Sequence, residues 1–377
     1  MERPRGILSS YFETMQSFQP QQIIIEAKVE GSSLTNRIIN KFKKVPKQTI
    51  HSYQELKIPQ DISQAKRTLI LAEQRGEYLK PFPKIKHAIN LGDFVFNPVS
   101  NCHLECTYCI LQSYLKNNPS ITIFANWENY AEAILKKAIE NPEHCFRMGT
   151  GELSDSLALD NITNLSQEMV PLFAKIPNAF LELKTKSNAI DNLLQLEHRG
   201  HTVISWSMAP EEIIKKEELK CASLNQRIEC AVQVQQAGYP VGIHLDPLIY
   251  FEDWQKAYQT LIEKIAQKLD PKRIAWVSVG SLRFDKDLKR EATSRFPQTK
   301  IFSEEFIAAP DGKFRYFKEI RQELYQKLWR WLADWSDDFP RYLCMEAPWM
   351  WEAVTSQKAP SPEDKEKELT DRLKSLC

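Results

Sequence analysis

A chain of 377 residues that is 42% hydrophobic and 26% charged can bury the core of one large α/β domain, alone or with appendages. Its net charge of +1 offers no whole-molecule field for a polyanion, and no run approaches the roughly 18 apolar residues of a membrane span. The opening MERPRGILSSYFETMQ lacks the apolar core and cleavage site of a secretory leader, so a cytoplasmic protein is expected.

Residues 1–88 read as an N-terminal α/β extension. Within it RIINKFKKV (37–45) predicts a short basic helix, QTIHSYQEL (48–56) a strand and turn, and TLILAEQRG (68–76) a strand ending at Gly76. Pro81 and Pro83 punctuate the chain before the next element. From 89 to 352 strand-like and helix-like segments alternate. Strands are expected at NLGDFVFNP (90–98), HCFRMGTGE (144–152), AFLELKTKS (179–187), TVISWSM (202–208), PVGIHLDPLIY (240–250) and RIAWVSVGSLRF (273–284). Helical spacing marks WENYAEAILKKAIE (127–140), NAIDNLLQLEHRG (188–200), LNQRIECAVQVQQAG (224–238) and WQKAYQTLIEKIAQKL (254–269). RYLCMEAPWMW (341–351) reads as a late strand with Cys344 at its end. Strands separated by helices need crossovers and therefore pair in parallel, so a partial (β/α)6 barrel is expected, with its site at the strands' C-terminal ends. Residues 353–377 form a charged tail, expected as a surface helix or as disorder.

Three of the eight cysteines crowd SNCHLECTYCILQSYL (100–115): Cys102, Cys106 and Cys109. In a reducing compartment these are candidate thiolate ligands. Structural zinc sites and ordinary four-iron clusters use four protein ligands, and no second pair follows here; Cys145 stands alone, and Cys221, Cys230 and Cys377 read as structural or exposed. Three thiolates can hold a [4Fe–4S] cluster and leave one iron to a ligand that is not protein. A structural metal loop is the plainer alternative. GTGE (149–152) adds two glycines that let backbone approach a ligand, and Glu152 to accept from an ammonium group.

The Cys-x3-Cys-x2-Cys spacing resembles the radical S-adenosylmethionine superfamily. The resemblance implies that S-adenosylmethionine binds the open iron and is cleaved to a 5′-deoxyadenosyl radical. It also implies that Glu152 contacts the methionine amino group, that Lys186 and Ser207 contact the same cofactor, and that Asp246 faces its adenosine side. CTYCILQSYL, KTKSNAIDNLL, LNQRIECAVQVQQAGYPVGIHLDPLIY and GKFRYFK come in the order and spacing of one branch, the spore photoproduct lyase family, over roughly residues 85–320. That likeness implies damaged thymines in DNA as substrate, Arg315 and Tyr316 as lesion contacts, and an external electron donor such as flavodoxin or ferredoxin. Two departures stand out. The family's hydrogen-donating cysteine is matched here by Gly149, and the tyrosine after the third cluster cysteine by Ile110, although Tyr108 is kept. Cys344 is the candidate replacement donor. Trp206, Trp276, Trp349 and Trp351 are expected in the core, and His244 as a satisfied buried histidine. The competing readings are a radical enzyme with another substrate (RNA, nucleotide or peptide), a nonenzymatic iron–sulfur protein that binds nucleic acid or senses redox state, and, last, a zinc module.

Overall fold

QIIIE and TLILA are runs of branched apolar residues buried along almost their whole length, the pattern of strands covered on both faces. In the computed structural model, which describes residues 18–56, 61–82, 92–309 and 311–377, they are the parallel neighbours β1 (Gln22–Glu26) and β3 (Thr68–Ala72). Pro83 and the first two residues of the expected 90–98 strand lie outside the described residues. β2 (Lys47–Ile50) flanks β1 in parallel. The helix between β1 and β2 spans Ser33–Lys41, starting earlier than its basic residues predict because Ser32 caps it by accepting from Thr35 N.

The chain then forms β4 (Lys80–Pro81), β5 (Phe94–Val95), β6 (Val99–Ser100) and β7 (Ile121–Phe124). The β6–β7 pair is absent from the expected elements. It completes a five-stranded sheet in the order β2-β1-β3-β7-β6, which draws strands from both sides of residue 88. β7 is fully buried and four residues long, too short to stand out as a periodic run.

The larger sheet follows the expected strands closely: β8 (Phe146–Gly149), β9 (Ala179–Thr185), β10 (Thr202–Ser207), β11 (Val241–Leu248) and β12 (Ile274–Ser281). Beyond β12 come β13 (Arg283–Phe284), β14 (Phe306–Ala308), β15 (Phe314–Tyr316) and β16 (Arg341–Leu343). The order is β16-β12-β11-β10-β9-β8-β5-β4, all parallel except the β4–β5 pair. No described strand pair joins its two edges, so the sheet is an open, partial barrel. β13, β15 and β14 form a separate antiparallel sheet.

Two expectations need correction. The late strand expected over 341–351 ends at Leu343, and Pro348 begins a helix, Pro348–Thr355. Residues 188–200 form no helix: Asn192 Nδ2 donates to Asp160 O at 3.1 Å and Asp160 Oδ2 at 2.9 Å, and Ser187 N to Thr185 Oγ1 at 2.9 Å. These side-chain bonds compete with the helical ladder, and tight turns bury Ile190 and Leu193 instead. Of the two forms expected for the charged tail, the helix is the one observed. It spans Pro362–Leu376, capped by Ser361 and begun by proline, with Leu369, Leu373 and Leu376 buried. Each buried leucine stabilises the docked helix by about 1.5–3 kcal/mol, and Arg372 adds hydrogen bonds to Ile274 O at 2.9 and 3.0 Å. Among the described residues no helix is long and apolar enough to cross a membrane.

Candidate active site

The cysteine segment leaves the first sheet at β6 and turns at once. Asn101 makes the turn in a left-handed conformation (φ 68°) that asparagine tolerates better than most residues. Its Oδ1 accepts from Cys102 N at 2.8 Å, and its own N–H donates to Leu153 O at 2.7 Å. Further on, Cys109 N donates to Cys106 O at 3.2 Å, as does Gln112 Nε2 at 3.0 Å. Residues 217–221 hold the loop from outside. Thr107 N donates to Glu217 O at 2.9 Å, Leu219 N to Glu105 O at 3.1 Å, and Cys106 faces Glu218 as an antiparallel bridge.

Cys102, Cys106 and Cys109 are all free thiols, and they border one cavity of about 190 Å³ together with Glu152, Lys186 and Ser207. Six of the residues singled out from the sequence thus converge. Among the described residues no three His, Cys, Asp or Glu side chains converge on a single ion. All three cysteines border the one cavity, and three thiols are the donor set for a cluster that leaves one iron open. Burial pushes the Cys109 thiol up to about 11 and Cys102 well above its usual value, so a metal must displace their protons.

Lys66, Asp155 and Lys184 also border the cavity and were missed by the sequence reading. Asp155 is a positioning residue: its carboxylate accepts from Thr185 Oγ1 at 2.6 Å and Lys186 N at 2.7 Å, tying the GTGE loop to the end of β9. Serine-aspartate soon after a glycine-rich turn was the available signal. Gly151 allows the same close approach, because a Cβ there would lie 3.3 Å from Lys184 Cβ. Glu152 is exposed and accepts from Asn97 Nδ2 at 3.0 Å.

Lys186 belongs to a buried network. Its Nζ lies 3.7 Å from Glu218 Oε1, Arg227 pairs with the other Glu218 oxygen, and the Tyr108 hydroxyl donates to Glu218. Burial opposes charge on all three ionic groups, yet Arg227 and Lys186 hold Glu218 below the usual carboxylate range and Glu218 holds Lys186 above its own. Two cations face one anion, so an anionic ligand in the cavity meets net positive charge at Lys186. Burial, then Glu218, raises the Tyr108 hydroxyl far above its ordinary value.

Asp246, Cys344, Arg315 and Tyr316 do not border this cavity. Asp246 is closed by Arg283, whose Nη2 donates to both carboxylate oxygens at 2.9 and 3.0 Å, and its charge acts on the Cys344 thiol. Burial pushes Cys344 up to about 12, with Asp246 adding to the effect, so it stays a neutral S–H. Lys184, at the cavity edge, acts electrostatically on both Asp246 and Cys344. In register with Arg283 across β13–β15 stands Arg315, itself closed on Asp311 by two 2.7 Å contacts. Tyr316 is fully buried beneath the hairpin, its hydroxyl accepting from Tyr250 N at 3.2 Å. In this arrangement it supports the hairpin rather than facing a ligand.

Trp206, Trp276 and Trp351 are buried and Trp349 is 45% exposed. His244 pairs with Glu182 at 2.7 Å. Cys221, read as structural or exposed, is half-buried with its Sγ 3.4 Å from that of Cys106. Nothing in its sequence separation from Cys106 signalled this.

A family model described as spore photoproduct lyase matches residues 18–336. Spore photoproduct lyase of Bacillus subtilis (strain 168) is 27% identical over 318 residues, 81% of this chain and 91% of the relative. Its counterpart in Clostridium acetobutylicum is 29% identical over 237 residues, 60% of this chain and 69% of the relative. Among solved structures, a spore photoproduct lyase complexed with dinucleoside spore photoproduct superposes with a TM-score of 0.77. That match covers 87% of this chain and all of the other at 22% identity, a likeness of fold.

Proposed function

This chain belongs to the spore photoproduct lyase family, and on that footing we propose that it is a radical S-adenosylmethionine enzyme that repairs thymine lesions in DNA. The observation that carries the reading is the convergence of three free thiols, Glu152, Lys186 and Ser207 on one cavity at the strands' C-terminal ends. Cys102, Cys106 and Cys109 hold a [4Fe–4S] cluster. That cluster, reduced by a carrier such as flavodoxin or ferredoxin, would supply the electron for cleaving S-adenosylmethionine to a 5′-deoxyadenosyl radical. Glu152 accepts from the methionine ammonium, and Lys186, with its surplus positive charge, pairs with the carboxylate. Ser207 donates to the same ligand, and Tyr108 orients Lys186 through Glu218. Asp246 keeps Cys344 protonated from the adenosine side.

On the substrate side, the Arg315–Asp311 pair exchanges its carboxylate for a DNA phosphate while Tyr316 braces the hairpin. Cys344 donates the hydrogen atom that Gly149 cannot. Its S–H, kept neutral by burial and the nearby Asp246 charge, supports that role. Gly149 also favours a second reading, the same radical engine on another substrate such as RNA, a nucleotide or a peptide.

The test is anaerobic turnover of iron-reconstituted protein with S-adenosylmethionine, dithionite and a synthetic spore-photoproduct dinucleotide. Repaired dinucleotide and 5′-deoxyadenosine are quantified together. Repair that disappears in Cys106→Ala establishes the lyase, and loss of repair but not of 5′-deoxyadenosine in Cys344→Ala identifies the donor. Cleavage of S-adenosylmethionine without repair moves the assignment to the second reading. Neither product sinks both.

A further inference from the structure

The thiols of Cys106 and Cys221 are 115 residues apart in sequence and 3.4 Å apart in space, and no other pair of cysteine thiols among the described residues is in hydrogen-bond contact. The contact is built by the backbone. The Cys106–Glu218 bridge aligns the two segments, and Leu219 N and Thr107 N lock them to Glu105 O and Glu217 O. A turn closed by Cys221 N on Glu218 O at 3.1 Å brings residue 221 back over the bridge, and Ala222 N to Lys186 O at 3.0 Å fixes it there. Cys221 then packs on the small apolar cluster of Cys102, Leu104, Leu111 and Ala158.

We propose that Cys106 and Cys221 form a reversible disulfide in the cluster-free protein, withdrawing one of the three cluster thiols until a reductant returns it. The sulfurs need to close by only about 1.4 Å to reach the bonded distance of ~2.05 Å. Cys221, the more exposed of the two, reacts first with a small organic disulfide RSSR, giving Cys221–S–SR and RSH. The Cys106 thiol then displaces the second RSH and forms the Cys106–Cys221 bond. Each protein sulfur gives up one electron, RSSR takes both, and the two thiol protons leave on two RSH. The bond itself rests on the contact alone. Its consequence for cluster assembly rests on the reading of Cys106 as a ligand.

The experiment uses full-length protein stripped of metal, reduced, and then exposed anaerobically to 2-hydroxyethyl disulfide. Free thiols are counted, peptides are mapped by mass without reduction, and iron and sulfide uptake is measured before and after dithiothreitol. The expected result is a Cys106–Cys221 cross-linked peptide, beside a mixed disulfide at the exposed Cys377, and iron uptake that recovers only after dithiothreitol. Cys221→Ser loses the cross-link and takes up iron without dithiothreitol. A Cys106 that stays free, or pairs with Cys102 or Cys109 instead, overturns the proposal whatever the variant does. Fully reduced protein that takes up no iron removes the cluster reading while leaving the cross-link to stand on its peptide.

Discussion

The two sides of the barrel mouth use similar charged residues but leave them in opposite states. On the cysteine side, three thiols, Glu152, Lys186 and Ser207 border open space, and the buried network behind them carries one more cation than anion. On the hairpin side Asp246 is closed on Arg283 and Arg315 on Asp311, each through two contacts. The first side is organised to receive a ligand. The second must give up an internal partner before it can bind one. The two pairs differ in how easily they yield: Arg283 and Asp246 are 10% and 13% exposed, whereas Asp311 is 30% exposed. Exchange of Asp311 for a phosphate is the cheaper opening, which agrees with the family likeness that points to Arg315 as the substrate contact.

The largest effect should come from breaking the cysteine side itself. Cys106→Ala is expected to abolish cluster binding and cut 5′-deoxyadenosine formation by more than the roughly 10–100-fold of a lost outer-shell contact. Arg315→Lys, on the other side, should leave iron content and S-adenosylmethionine cleavage near wild type while repair falls. Equal losses in both variants would erase the distinction between the sides. Next in size is Glu218→Gln, which leaves Arg227, fully buried, without its carboxylate. Removing one partner of a buried pair costs about 3–5 kcal/mol, so the melting temperature should fall on the order of 10 °C. A shift below a degree or two would mean that the network does not hold the cavity wall.

The same contrast governs what the sequence could tell. The cysteine side was legible because its chemistry lies in short contiguous motifs, and the parallel strands because their apolar runs are continuous. β7 was missed because four buried residues carry no period, and 188–200 because the Asn192 and Thr185 side chains hold the segment through bonds to Asp160 and to Ser187 N that apolar spacing cannot register. Asp155, Cys221 and the closed pair of Asp246 depend on contacts between distant segments, and the Arg315–Asp311 pair on a hairpin turn that no motif describes. A motif names such residues without revealing what already occupies them. Tyr316 is the clearest case, since its position in the hairpin matched the family while its hydroxyl had been taken by Tyr250 N.

A smaller effect is expected at Gly149. A Cβ there would meet nothing closer than Glu182 O at 3.7 Å, and the backbone is not left-handed. Gly149→Cys should therefore change stability by less than about 1 kcal/mol. In a Cys344→Ala background it should restore repaired product per 5′-deoxyadenosine. A well-folded double variant that cleaves S-adenosylmethionine yet repairs nothing would show that position 149 does not face the substrate radical.

The smallest effect tests the hairpin pair alone. Hydrogen bonding to Arg315 holds the Asp311 carboxyl down at about 2 in the folded protein, against ~3.9 in an unfolded chain. A depressed folded value means stability that is present above the unfolded value and lost as pH falls through the folded one. The contribution should thus be complete above about pH 5 and decline toward pH 2, and for a partly exposed pair it should amount to no more than on the order of 1 kcal/mol. Urea midpoints of the wild type and Asp311→Asn should differ at pH 6 and draw together as the buffer is taken down through pH 4 and 3. The repair assay gives the same pair a functional sign. If Arg315 meets phosphate by releasing Asp311, Asp311→Asn should weaken the internal competitor and lower the apparent KM for the lesion while its acid dependence of stability disappears. An unchanged KM with a lost acid dependence would leave the pair as a brace for the hairpin, and the substrate charge would then have to be met elsewhere on that side of the mouth.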